Sequence, residues 1–265
     1  MLYGHALDTY KQGTKNICWW CGDVADSREH KYKVTDLKHV KGDDEYVLWG
    51  STSENRMYQV RGVGAKAVKF PPNLCKLCNN QRSQPFDVAY DKYSAYVRDN
   101  LNDLRYQLSI DFRKIYGDDW QAGTLNLMKY LTKNFGCRID EAGFQVPRDL
   151  AYYLDSDGIT TNMSFAIFKD IGLFKMRRYF SSQGIDSRGL YHGPMIGRVN
   201  PNDNTVHMFA TEFVTSAIGV LMWWNAGSGA TSTPSPVAPL ADREDLPHPE
   251  VRVLLMDTTS EDAPQ

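Results

Sequence analysis

Cys18-Trp19-Trp20-Cys21-Gly22, followed after a spacer of 53 residues by Cys75-Lys76-Leu77-Cys78-Asn79-Asn80, is the pair of stretches that decides the fold. A CxxC turn places two thiolates on one side of a tight loop, and two such turns supply the four corners of a tetrahedral zinc site. Cys18, Cys21, Cys75 and Cys78 are therefore expected to share one structural Zn²⁺. The long spacer predicts a small inserted element between the two knuckles. A redox pair is the poorer reading, because neither CxxC lies at a strand-to-helix junction of a βαβ unit. Cys137, the fifth cysteine, is expected to pack as a small apolar residue.

Outward from the knuckles, the first ~85 residues are thin in apolar content, so a metal ion would help to hold them. Short strand-like runs cover Tyr46 to Gly50 and Met57 to Val60. Apolar residues at three- and four-residue spacing then predict one long amphipathic helix from Phe86 to Tyr116, started by Pro85. A second helix is expected from Asp119 to Phe135 with Gly136 as its C-cap, and a third over Arg148 to Leu154. Strands are expected over Thr160 to Phe168, Leu190 to Arg198, Val206 to Phe213 and Ser216 to Trp224, with a turn at Asn200 to Asn204. This succession predicts an α+β fold with a small antiparallel sheet. The domain reading is a zinc-stapled module over residues 1–100, an α+β domain over 101–225, and a flexible linker with an acidic tail over 226–265. The linker is residues 226 to 241, and Val251 to Met256 would form one strand in the tail.

At 42% apolar content the chain carries enough for a core. Its longest apolar run, Ala217 to Trp224, is far short of the ~20 residues that a bilayer crossing needs. No apolar leader segment opens the sequence, so a cytoplasmic, non-membrane protein is expected. Formal net charge is -2, with 15 Lys and Arg against 12 Asp and Glu in residues 1–100. That is a mild positive bias, not a basic patch.

Between the knuckles stands Ser27-Arg28-Glu29-His30. The order CxxCG, Glu-His, CxxCNN resembles the zinc-knuckle branch of the HNH endonucleases, over roughly residues 15 to 100. The resemblance implies a ββα-metal module that hydrolyses DNA in a bacterial host or a phage-infected cell. His30 would be the general base. Glu29 and Asn79 would hold a catalytic Mg²⁺ or Mn²⁺ distinct from the zinc, with Asn80 and Asp87 as reserve ligands. Asn73 would stand for the motif's middle Asn, and Lys31, Lys33, Arg82 or Lys92 would contact phosphates. The chemistry suits these residue types. An imidazole titrates near neutral pH, and carboxylate and amide oxygens are hard ligands for those cations. The alternative reading is a non-catalytic zinc-binding module that recognises nucleic acid or a partner protein. Oligomeric state, target sequence and strand preference are not legible.

Overall fold

The computed structural model describes residues 2–3, 16–51, 56–157, 162–186, 188–200, 205–227 and 235–243. The chain is α+β, as its pattern predicts. Short β1 (Leu2–Tyr3) comes first, and α1 (Val34–Lys41) follows the first knuckle. The knuckle spacer also holds a hairpin, β2 (Val47–Ser51) on β3 (Arg56–Val60), which is the inserted element that the spacing called for. A π-helical turn over Leu77–Arg82 then leads into α2 (Gln84–Asp99), with Pro85 in its first turn.

The expected single helix from Phe86 to Tyr116 is broken. After α2 come α3 (Leu101–Leu104), β4 (Ser109–Asp111) and α4 (Arg113–Tyr116). The side chain of Asn100 folds back to donate to the Tyr96 carbonyl, 2.9 Å away, and ends the helix. Leu108, which the helical period would bury, is exposed. Helix α5 (Trp120–Glu141) runs past its expected end at Phe135, straight through Gly136. That glycine is not a cap. A Cβ there would lie 2.5 Å from Cζ2 of Trp19, so the missing side chain lets the knuckle's indole pack flat against the helix. Helix α6 (Arg148–Asp155) falls where expected.

The sheet is larger than predicted and is mixed. It comprises β5 (Met163–Asp170), β6 (Leu190–His192), β7 (Ile196–Val199), β8 (Val206–Thr215), β9 (Ile218–Asn225) and β10 (Val237–Arg243), together with β1 and β4. Its order is β1-β7-β8-β9-β5-β10-β4, with β6 also on β8. Every pair is antiparallel except β10 on β5. Strand β10 lies in the stretch read as a linker. Pro239 disguises it, and what holds it is buried Leu240 together with partner strands on both edges. Helix α7 (Ile171–Ser182), which no sequence signal marked, packs Phe174 inward. The turn at residues 201–204 and the tail strand at 251–256 lie outside the described residues. One contiguous core runs from Trp19 and Trp20 through Tyr90 and Phe135 to Phe213 and Leu240. The knuckle segment and the sheet therefore share a core across the boundary expected at residue 100. Among the described residues, no helix is long and apolar enough to cross a membrane.

Candidate functional site

The four thiols of Cys18, Cys21, Cys75 and Cys78 all lie within 4.8 Å of one another. Cys21 Sγ and Cys75 Sγ are 3.6 Å apart. Zinc–sulfur bonds of ~2.3 Å in a tetrahedron put sulfurs roughly 3.8 Å apart, so the four could hold a metal ion such as zinc. Two donors support the thiolates. The Cys78 amide points at Cys75 Sγ from 3.4 Å, and Arg82 Nη1 donates to Cys78 Sγ at 3.3 Å. Burial and the neighbouring thiols push Cys21 up to about 12. Cys75 is drawn below the ordinary thiol value: the Cys78 amide and the other thiols outweigh its burial. Trp19 and Trp20 are buried, Trp20 stacking on Phe86 with its Nε1 donating to Asp155 at 2.8 Å.

Residues 27–31 run antiparallel to 68–74. Ser27 N reaches the Leu74 carbonyl at 3.0 Å, Phe70 N reaches that of Glu29 at 2.8 Å, and Lys31 N reaches that of Val68 at 2.9 Å. The first of these paired segments thus carries Glu29 and His30, and the π-turn that follows the second carries Asn79. The Nε2–H of His30 donates to the Val63 carbonyl at 2.9 Å. That bond fixes the neutral tautomer and leaves Nδ1 with its lone pair. Burial, opposed by the Val63 carbonyl, holds the imidazole below its ordinary pKa, so it is neutral at pH 7.

Glu29 turns towards α5. Its Oε1 lies 3.3 Å from Nζ of Lys133, a residue with no exposed surface. The same ammonium lies 3.3 Å from Asp87 Oδ1 and 3.3 Å from Ser83 Oγ. Burial opposes its charge, but Glu29 and Asp87 outweigh that and raise the pKa. Asp87 also pairs with Lys33 at 3.0 Å. One turn further on, Asp36 is enclosed by Tyr90, Ser94 and Arg98, with Tyr90 Oη donating at 2.7 Å.

Asn79 donates from Nδ2 to Ser27 Oγ at 2.8 Å, while its buried Oδ1 takes no hydrogen bond among the described residues. Asn73 faces α5, donating to the Cys137 carbonyl at 3.1 Å, and there it braces the second knuckle. Asn80 is exposed. Cys137 is fully buried, as its isolation predicts. The structure thus joins Glu29 and Asp87 through Lys133 and joins Asn79 to Ser27. His30 is turned to the loop at Val63.

Lys133 and Asp36 escaped the sequence reading as site residues, and Lys33, read there as a phosphate contact, is paired with Asp87. Lys133 sits on a helix whose period called for an apolar residue, and a lysine on a buried face was the one available signal. Compared with known proteins, the chain matches no family model, no curated protein and no solved structure.

Proposed function

We propose that the protein is a DNA phosphodiester hydrolase built on a zinc-stapled ββα module. The observation that carries this reading is His30, a neutral imidazole whose Nε2–H is committed to the Val63 carbonyl. Its Nδ1 makes no hydrogen bond among the described residues and so can take the proton of an attacking water, which is the task of a general base. Bound by Glu29 and Asn79, a Mg²⁺ or Mn²⁺ would supply Lewis-acid stabilisation of the scissile phosphate and its leaving oxygen. The buried Oδ1 of Asn79, without a partner among the described residues, fits that use. Glu29 shares its carboxylate with Lys133, whose ammonium orients it. The zinc would be structural: it would pin the start of the first paired segment to the end of the second, and Arg82, which reaches both Cys78 and Asp155, would tie it to α6.

A supercoiled plasmid with Mg²⁺ or Mn²⁺ tests the reading. Zinc-replete protein should nick it, and His30→Ala should lose about 100-fold or more of the rate with zinc content unchanged. Wild-type protein that never cuts, or a His30→Ala variant that cuts as fast, would refute the proposal. A second reading, a non-catalytic zinc module that binds nucleic acid or protein, draws on one observation. Lys133 already places a positive charge against the carboxylate that a divalent cation would need. That reading predicts binding that survives His30→Ala and is lost on zinc removal.

A further inference from the structure

Helix α7 is the one long element that the site does not use, and its charge is one-sided. Residues 171–185 contain Lys175, Arg177 and Arg178 and no acidic residue. Phe174 is buried, and Leu173 packs on a small separate core of Phe168, Tyr191 and Val214. Lys175, Arg178 and Tyr179 are exposed, and among the described residues neither Lys175 nor Arg178 makes an ion pair. Lys175 and Arg178 stand three apart and so share one face of the helix.

This helix is linked to the candidate site. Arg188, shortly after α7, donates from Nη1 to the His39 carbonyl at 2.8 Å, at the end of α1. Its guanidinium fills the space at Gly42, where a Cβ would lie 2.6 Å from Nη1 and where φ is +53°, a backbone that favours glycine. Helix α1 begins four residues after His30, and its last turn adds Lys38 and Lys41. Cations therefore follow one another from the candidate site along α1, across Arg188, to α7. Asp36, enclosed against Arg98, and Asp43, Asp44 and Asp186 are the acids in this stretch, and Asp186 is paired with Arg188 at 3.0 Å.

We infer that α7 is a docking surface for the phosphate backbone of duplex DNA, with Lys175 and Arg178 contacting phosphates and Tyr179 contacting the sugar edge. Charge complementarity points to a polyanion. The apolar side of α7 is spent on the protein's own core, which leaves no apolar face to enter a lipid bilayer. The choice of DNA rests on the cleavage reading above, but the surface does not need cleavage to be tested.

The measurement is fluorescence anisotropy of a labelled 30-base-pair duplex with zinc-replete protein and no added Mg²⁺ or Mn²⁺. Lys175→Glu/Arg178→Glu should weaken binding about 10-fold or more, and the slope of log affinity against log salt should fall by about 2, one for each lost phosphate contact. The matched reversal Lys114→Glu/Arg148→Glu, away from α7, should leave affinity and slope unchanged. Circular dichroism and zinc content establish that both variants are folded. Unchanged binding by the α7 variant, equal weakening by both variants, or no duplex binding by wild type would overturn the inference. So would loss in the α7 variant of binding to anionic phosphatidylserine vesicles in place of DNA. Duplex binding that depends on α7 in a protein that never cuts would uphold the surface and sink the nuclease.

Discussion

Lys133→Met puts the buried charge network to the test. The ammonium has no exposed surface and stands 3.3 Å from both Glu29 Oε1 and Asp87 Oδ1. Asp87 keeps Lys33 at 3.0 Å and Ser83 at 3.2 Å after the substitution. Glu29 has no second ion pair among the described residues, so a nearly buried carboxylate is left uncompensated. Removing one member of a buried pair costs about 3–5 kcal/mol. For a chain of this size that corresponds to a melting temperature lower by about 6–20 °C. Urea unfolding of zinc-loaded protein, followed by tryptophan fluorescence, reads the loss. The double variant Glu29→Gln/Lys133→Met should recover roughly 1–3 kcal/mol relative to the sum of the single losses, because the two groups are coupled. A loss below about 1 kcal/mol for Lys133→Met, or strict additivity with Glu29→Gln, would refute the reasoning.

Three further outcomes follow from the same packing. Gly136→Ala should cost about 1–3 kcal/mol by overpacking, because its methyl would meet the Trp19 ring at 2.5 Å; combining it with Trp19→Phe in a melting experiment should relieve part of that loss. His192 is half-buried with both ring nitrogens buried, its ring 4.7 Å from those of Tyr32 and Phe213. Burial, reinforced by Arg138 and Lys31, holds its pKa well below the usual value. Below about pH 6.5 the unfolded chain protonates this imidazole and the folded chain does not, so its contribution to stability falls as pH drops. His192→Phe should therefore show a shallower loss between pH 7.5 and 5 than wild type, and identical slopes in urea melts would refute it. With Cys21 pushed up to about 12, metal uptake must expel protons. Zinc retention against a chelator should strengthen from pH 6 to 8, and Cys75→Ser should retain no zinc by metal analysis.

The local parts of the fold were legible because local chemistry controls them. The CxxC turns, the apolar stripe of α2, the start of α6 and the strand-like runs of β8 and β9 all announced themselves. The sequence misled where an element depends on a distant partner. The α2 stripe continues by period through Leu108, yet Asn100 ends the helix and Ser109–Asp111 joins β10, more than 120 residues away. Strand β10 has little strand propensity of its own and exists through pairing on both edges. Gly136 reads as a helix end from its residue type, and only the arrival of Trp19 shows why it stands in mid-helix.

The candidate site divides in the same way. By itself the sequence determined which residues offer metal-binding chemistry: four thiols in two tight turns, with a carboxylate, an imidazole and amides beside them. Spacing along the chain suffices for that, since each CxxC turn sets its own geometry. Only the tertiary structure decided what each group faces. It brought the two thiol pairs within 4.8 Å across the spacer and aimed Asn73 at α5. It committed one nitrogen of His30 to a carbonyl 33 residues away and placed Lys133, more than 100 residues from Glu29, against that carboxylate. A charge's partner in a packed interior is set by which helices and segments meet, and no spacing in the chain records it.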